Sequence, residues 1–147
     1  MKEETCNIDD IKRLIPHRYP FLMIDKVIGI EKQLKAIGIK NVTVNEPYFT
    51  GHFPKTPVVP GVLQIESLAQ TAAVLVAKSL KLEDSGALVF LTTIDKAKFR
   101  KPIVPGDIMA LHVSVLRIRN KLWRFKGQVF VDSQRVSECE FSAMMSN

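Results

Sequence analysis

The sequence predicts an α+β fold in which a curled antiparallel sheet of about six strands wraps around one long buried helix. Residues 61–80 are dominated by alanine, leucine and valine, and no charged residue lies between Glu66 and Lys78. Apolar side chains would therefore cover nearly every face of a helix, which is typical of a buried helix. After residue 86, apolar and polar residues alternate, as they do in antiparallel strands with one face in the core and one face exposed.

The N-terminal part of the chain is expected to supply a short helix, a hairpin and a stiff loop. Asn7 or Asp9 can cap a helix over residues 8–14. Residues 45–60 contain four prolines, which fix the backbone and remove hydrogen-bond donors, so this segment is expected to be irregular but stiff. The hairpin strands, rich in β-branched residues, are expected at 21–30 and 33–44.

The C-terminal part is expected to supply the long helix and most of the sheet. Pro60 suits the start of the helix, because its missing N–H would have no partner there. Turn residues separate the segments that follow, which favours hairpin connections. The four strands are expected at 87–99, 107–119, 121–131 and 135–145.

Composition and the absence of several motifs exclude other classes of protein. The 147 residues, 46% hydrophobic and 24% charged, suit a single folded domain over 1–147 rather than a disordered chain. Cys6 and Cys139 form no CxxC pair, so a reduced cytoplasmic protein is expected, without a zinc site. The start of the chain is not typical of a signal peptide, and no apolar window is long enough to span a membrane. Walker A, GxGxxG and HExxH motifs are absent.

Glu66 is a carboxylate on a helix that is otherwise expected to be buried and apolar. It lies about five residues after the helix start, too far for the first-turn amides to stabilise its charge well. Apolar surroundings raise the pKa of a carboxyl group, and a carboxylic acid that is protonated near neutral pH can act as a general acid. A structural ion pair with a lysine or arginine, or exposure to solvent at the helix edge, is an equally acceptable interpretation.

His52 is the candidate base, and Gly61 is the candidate site for a carbonyl oxygen. His52 lies in the stiff segment between a glycine and Phe53-Pro54, where an imidazole can be held for proton transfer. Gly61 opens the helix, so its free N–H can polarise a carbonyl. Base, acid and oxyanion site with no serine or cysteine nucleophile suit proton abstraction beside a carbonyl. A lone histidine in a loop is usually incidental, which remains an alternative for His52, and His17 and His112 are expected to be incidental.

Gln70 follows Glu66 by four residues and shares its helix face. Its amide can hold the carboxyl group of Glu66 or a water molecule. A bond to a neighbouring loop is an equally good interpretation.

At these residues the sequence resembles the (3R)-hydroxyacyl-[acyl-carrier-protein] dehydratases of bacterial-type fatty-acid synthesis, which have the hot-dog fold. The spacing from His52 to Glu66 and the PGVLQIE helix start are similar to the dehydratase signature. Relatives that also isomerise the double bond usually carry Asp at the position of Glu66, so the resemblance is to the non-isomerising type. The matching blocks are IPHRYPFLMIDKV, FTGHFPKTPVVPGVLQIESLAQ, KFRKPIVPGD and RFKGQVFVDSQRVSECEF.

The resemblance implies a reaction and a role for each site residue. His52 would take a proton from C2 of a 3-hydroxyacyl thioester, the Gly61 amide would bind the thioester oxygen, and Glu66 would protonate the leaving hydroxyl. A backbone carbonyl near Val59 would orient the imidazole. The site would form between two subunits of a homodimer, often assembled into hexamers, without a metal or organic cofactor. The pathways implied are fatty-acid and lipid A biosynthesis.

An excess of positive charge is a candidate binding surface for acyl carrier protein, the acidic phosphopantetheine-bearing partner that the resemblance implies. Residues 96–126 contain nine basic residues and one acidic residue. Lys96, Lys98 and Arg100 would share one face of a regular strand, and such a surface would steer an acidic protein. A solvated face and an RNA-binding module remain alternatives, as does a hot-dog acyl thioesterase for the activity. The four candidate carrier-binding residues are Lys96, Lys98, Arg100 and Lys101.

Overall fold

The computed structural model describes residues 3–146 and confirms the α+β class, with seven strands in one antiparallel sheet. Within this part of the chain the strand order is β1-β2-β3-β5-β6-β7-β4, and every neighbouring pair is antiparallel. The helices are α1 (Ile8–Leu14) and α2 (Gly61–Ser79), with a short 3₁₀ helix at Pro47–Thr50. The strands are β1 (Glu4–Cys6), β2 (Lys26–Glu31), β3 (Lys35–Asn41), β4 (Val89–Phe99), β5 (Ile108–Arg119), β6 (Leu122–Val131) and β7 (Gln134–Met145).

Helix α2 is buried against the sheet, as the uncharged stretch after Glu66 predicts. Leu68 and Leu75 on the helix, and Phe125 and Phe141 on the sheet, are at most 1% exposed. The helix and β3 approach closely at Gly38, where an added Cβ atom would lie 2.1 Å from Thr71 Oγ1. Only a residue without a side chain fits there, so the sheet can curl onto the helix. No helix among residues 3–146 is long and apolar enough to cross a membrane.

The structure differs from the expected elements mainly near the N-terminus. The one strand that was not expected is β1, which has only three residues and is too short to show an alternation of polar and apolar residues. Residues 21–25 were expected in a strand but lie outside the sheet. The chain turns here, because the N–H groups of Phe21 and Leu22 donate to the Arg18 carbonyl at 2.7 and 3.1 Å. Helix α1 has the expected bounds, and Asn7 is its cap in a reciprocal pair with Asp10.

Strand β4 lies at an edge of the sheet, and ten of its eleven residues are exposed. Its only strand neighbour within residues 3–146 is β7. Asp95 pairs with Glu140 and Lys98 with Glu138, so β4 carries one extra residue, and Lys96 adopts φ 54°. This bulge interrupts the alternation that the sequence analysis assumed for Lys96, Lys98 and Arg100.

Candidate active site

A loop that closes on itself positions His52. The His52 carbonyl accepts from Val58 N at 3.1 Å, and Phe53 and Thr56 exchange two backbone hydrogen bonds of 3.0 Å. The loop is anchored to the core on its C-terminal side, where the buried Val59 donates its N–H to the Ile103 carbonyl at 2.9 Å. The imidazole is therefore held by a loop of limited freedom, as the prolines of this segment predict.

The carbonyl that orients the imidazole belongs to Val58, one residue before the expected Val59. His52 Nδ1 lies 2.7 Å from the Val58 oxygen. Val58 faces His52 across the loop, whereas the backbone of Val59 already points to Ile103 and, through its carbonyl, to the Gln64 side chain at 3.4 Å. Because a carbonyl can only accept, Nδ1 carries a proton, and in the neutral imidazole the lone pair therefore lies on Nε2.

Gly61 begins α2 beside His52. Both residues line a cavity of about 310 Å³ that Phe99, Arg100 and Lys101 also border. No hydrogen bond from the Gly61 N–H to another residue of the described chain is present, as expected for the first residue of a helix. A Cβ atom added to Gly61 would lie 2.9 Å from Cζ of Phe99, so the aromatic ring of Phe99 already occupies the space that a side chain would need.

Glu66 lies on the buried helix with its side chain only 20% exposed. Burial raises the pKa of its carboxyl group, and this effect exceeds the opposing one of the hydrogen bond from Gln70. No lysine or arginine forms an ion pair with Glu66 among residues 3–146. The structural ion pair with a lysine or arginine that the sequence allowed is therefore not found in this part of the chain, and burial favours the neutral form of Glu66 more than water does.

Gln70 fixes one oxygen of the Glu66 carboxyl group and a nearby loop at once. Its Oε1 accepts from Met23 N at 2.7 Å, and its Nε2 donates to the Phe21 carbonyl at 2.7 Å and to Glu66 Oε2 at 2.8 Å. Both hydrogens of the amide are used, so both interpretations of Gln70 apply together. Because Oε2 accepts from Gln70, Oε1 is the oxygen that can carry the proton when the carboxyl group is neutral.

His17 lies beside Glu66, although the sequence analysis treated it as incidental. Its Nε2 is 3.7 Å from Glu66 Oε2, and its side chain is 21% exposed. Burial, followed by the charge of Arg18, lowers the pKa of the imidazole. The available signal was its place in the block IPHRYPFLMIDKV. His112, the other histidine treated as incidental, lies on β5 against the ring of Phe130.

His52 and Glu66 form neither a hydrogen bond nor an ion pair with each other in the described chain. The residues that line the cavity at His52 do not include Glu66. The base therefore borders one cavity, while the acid accepts a hydrogen bond from Gln70 outside the lining of that cavity. Within residues 3–146 the two groups are not in direct contact.

The basic residues are divided between two surfaces. Lys96 and Lys98 border one depression with Lys126, whereas Arg100 and Lys101 border the cavity at His52. Strand β7 brings acidic partners to them: Arg100 pairs with Glu138, and Lys96 Nζ lies 3.7 Å from Glu140. The excess of positive charge in the sequence window is therefore partly neutralised in the fold. Across residues 3–146, no cluster of three His, Cys, Asp or Glu side chains could hold a metal ion.

Comparison with known proteins identifies the family. Residues 15–140 match the model of the FabA-like domain. The curated 3-hydroxyacyl-[acyl-carrier-protein] dehydratase FabZ of Rhodospirillum rubrum is 51% identical over 96% of this chain and 88% of its own length. The FabZ of Coxiella burnetii is 54% identical over 92% of this chain and 94% of its own length. The chain belongs to the FabZ dehydratase family.

Solved structures agree with the hot-dog fold of this family. A chain of the dehydratase heterocomplex ApeI:P from Xenorhabdus doucetiae superposes with a TM-score of 0.80 at 17% identity, over 93% of this chain and 91% of that one. Cj0977, a sigma28-regulated virulence protein from Campylobacter jejuni, superposes with a TM-score of 0.67 at 15% identity, over 95% and 90% of the two chains. At these identities the likeness shows the fold alone.

Proposed function

We propose that His52, Glu66 and the Gly61 amide carry out the dehydration of a 3-hydroxyacyl thioester. The chain is a 3-hydroxyacyl-[acyl-carrier-protein] dehydratase of fatty-acid synthesis, since it is about half identical to curated members over nearly its whole length. The observation that carries the residue assignment is that the surroundings of His52 suit a proton acceptor, whereas those of Glu66 suit a proton donor. His52 has a lone pair free on Nε2, and Glu66 has a pKa raised by burial.

Each bond change has a residue that serves it. His52 Nε2 takes the proton from C2, and the electron pair of that bond forms the C2–C3 double bond as the C3–oxygen bond breaks. Negative charge that develops on the thioester oxygen is stabilised by the N–H of Gly61 at the positive end of α2. Glu66 gives the proton on Oε1 to the leaving hydroxyl, which departs as water. The products are the trans-2-enoyl thioester and water.

The proposed site needs two subunits, with His52 from one and Glu66 from the other. Two features support this. The catalytic groups do not meet within the described chain, and β4 presents eleven residues at a sheet edge, with Phe90, Ile94 and Phe99 about half exposed. An open edge of this length with apolar side chains is an aggregation hazard unless it is paired. We therefore propose a homodimer that pairs the two β4 edges, and a trimer of dimers as the larger assembly.

We propose that acyl carrier protein delivers the substrate to the cavity at His52. Arg100 and Lys101 border this cavity, so their charges meet the acidic carrier at the place where its phosphopantetheine arm must enter. Lys96 and Lys98 border the separate depression with Lys126 and would extend the same attraction. This supports carrier docking next to the base and makes Lys101 the most informative residue to change.

We also expect a cytoplasmic location for the chain. Cys6 and Cys139 are free and buried, and free thiols persist in a reducing compartment. Fractionation of cells that express the tagged chain checks this expectation.

Complementation between two inactive variants tests the mechanism and the shared site together. Glu66→Gln and His52→Ala should each lower turnover by about 10²–10⁴-fold, measured as enoyl-thioester absorbance with 3-hydroxyacyl carrier protein. Co-expression of the two variants under different tags should restore about a quarter of wild-type activity, because half of the randomly formed dimers contain one intact site. Glu3→Gln, an exposed change, is the control.

Each alternative has its own result. If both variants lose turnover but co-expression restores nothing, the pair lies within one chain and the shared site is wrong. Near wild-type turnover in either single variant removes that residue from the mechanism. Release of free thiol without enoyl product would identify a thioesterase, and salt-sensitive RNA binding without activity on acyl thioesters would identify a binding module.

A further inference from the structure

The segment that carries His17 is anchored on both sides of the histidine. Arg18 donates from Nη1 to the carbonyls of Ile15 and His17 at 3.0 and 2.7 Å, and from Nη2 to the carbonyl of Lys12 at 2.8 Å. On the other side of His17, the side chain of Gln70, which lies on α2, forms hydrogen bonds with the backbone of Phe21 and of Met23. Because the segment is fixed on both sides, the place of the imidazole against Glu66 is determined by backbone contacts rather than by a mobile side chain.

The imidazole of His17 is buried at a cost that its structural contacts do not offset. Nδ1 is buried and has no hydrogen-bond partner among residues 3–146, whereas a buried polar atom is normally paired. An apolar side chain of similar shape would avoid the desolvation of this nitrogen. Folding alone therefore does not account for a histidine here, and a role in catalysis is one explanation for such an unpaired buried group.

The two nitrogens have different neighbours, and this difference assigns the proton. An N–H directed into the unpaired surroundings of Nδ1 would lose a hydrogen bond, whereas an N–H at Nε2 faces Glu66 Oε2 at 3.7 Å. The neutral tautomer with the proton on Nε2 is therefore favoured. The separation is longer than a hydrogen bond, and such contacts in free enzymes often shorten only when charge develops.

Neutrality of His17 matters because Glu66 must keep its own proton until the reaction step. An imidazolium at this distance would form an ion pair with the carboxylate and favour loss of the proton from Glu66. Burial and the neighbouring charge of Arg18 disfavour the imidazolium. Gln70, which donates to the carboxyl group at 2.8 Å, is uncharged. Oε2 therefore has one neutral donor in place and a second neutral N–H nearby at 3.7 Å.

We propose that His17 is a positioning residue for the dehydration, a neutral N–H donor that moves onto Oε2 of Glu66 as Oε1 gives its proton to the leaving hydroxyl. This inference rests on the proposed role of Glu66 as the acid. Together with Gln70, His17 stabilises the carboxylate that forms, and it leaves Oε1 as the oxygen that faces the substrate. When Glu66 gives up its proton, its carboxyl group becomes negatively charged. Two hydrogen-bond donors on Oε2 would stabilise that negative charge.

Three substitutions at position 17 distinguish the effects of the hydrogen-bond donor, of the shape of the ring and of a positive charge. His17→Phe keeps a ring and removes the donor; His17→Gln places a neutral N–H near the position of Nε2; His17→Lys adds a permanent cation. The readouts are kcat and the titration midpoint of Glu66, followed by NMR of the ¹³C-labelled carboxyl carbon in the whole oligomer. The resonance of Glu66 is assigned by its loss in Glu66→Gln. His112→Gln, a histidine on β5 away from the site, is the matched control.

The expected pattern is specific. His17→Phe should raise the Glu66 midpoint by about one pH unit and lower kcat about tenfold, the scale of one hydrogen bond to a charged group. His17→Gln should recover most of both. His17→Lys should lower the midpoint by about 1–3 units and remove most activity at neutral pH. His112→Gln should leave the midpoint and kcat unchanged.

Two results overturn this proposal. One is a Glu66 midpoint that stays the same in the phenylalanine and lysine variants. The other is a shifted midpoint with kcat unchanged. If Glu66→Gln itself keeps wild-type turnover, the assignment of Glu66 as the acid fails instead. Should His17→Phe not fold, the nearly unchanged midpoint and kcat of the glutamine variant and the lowered midpoint of the lysine variant still decide the question.

Discussion

The surroundings of His52 and of Glu66 differ in how firmly each catalytic group is held. One hydrogen bond, to the Val58 carbonyl, orients His52 at the edge of an open cavity. Glu66 projects from the second turn of a buried helix and is held by Gln70, which is itself fixed by two backbone groups. The base is therefore oriented by a single side-chain contact on a stiff loop, while the acid is fixed and desolvated before the substrate arrives. Such a division suits an acid whose raised pKa depends on staying buried.

Among the changes near Glu66, loss of the Gln70 amide should have the largest effect on stability. Gln70→Leu leaves Met23 N–H and Phe21 C=O without the partner that holds them, and we expect a loss of about 3 kcal/mol in the free energy of unfolding. Chemical denaturation followed by Trp123 fluorescence measures it. Thr71→Val, which removes a buried hydroxyl bonded only within the helix, should cost less than about 1 kcal/mol. Equal losses in the two variants would show that Gln70 does not hold the segment.

On the base side, Gly61→Ala tests why a glycine begins the helix. The added methyl group would force the Phe99 ring from its place 2.9 Å away, and we expect turnover to fall about tenfold through misplacement of groups beside His52. Phe99→Leu in the same chain should restore most of the turnover by making room. If the double variant stays as slow as Gly61→Ala alone, the bound substrate, rather than Phe99, requires the glycine.

At the mouth of the base-side cavity, Lys101→Glu should affect carrier recognition with little effect on chemistry. We expect KM for the carrier-linked substrate to rise about fivefold at low salt, and the effect to shrink as salt screens the charges. A short pantetheine thioester of the same acyl chain should show no change. Lys35→Glu, on β3 and outside this cavity, is the control. Equal losses on both substrates would argue against carrier docking here.

The smallest expected effect is a pH dependence of stability that belongs to the acid side. Because burial raises the folded-state pKa of Glu66, the native chain binds more protons than the unfolded chain above the ordinary glutamate range. The contribution of Glu66 to stability is therefore present at low pH and is lost as pH rises through the folded-state pKa. Glu66→Gln should gain stability over wild type across that window. A difference that stays constant with pH would contradict the buried acid.

Much of the fold could be predicted because its signals are local. The uncharged run after Glu66 defined α2 to within one residue, and the alternation after residue 86 located β4–β7 closely. The expected strand at 21–30 began late because a side chain from α2, Gln70, takes the backbone groups of Phe21 and Met23. No local pattern shows a contact between residues that are almost fifty positions apart.

The sequence by itself determined the fold class, the candidate pair His52 and Glu66, and the resemblance to a dehydratase family, because periodicity and motif spacing are properties of neighbouring residues. The tertiary structure decided which carbonyl orients His52, which oxygen of Glu66 accepts from Gln70, and that His17 lies beside the acid. It also showed that Glu138 and Glu140 on β7 partly neutralise the positive charges of Arg100 and Lys96. These features depend on contacts between distant segments, and packing alone brings those segments together.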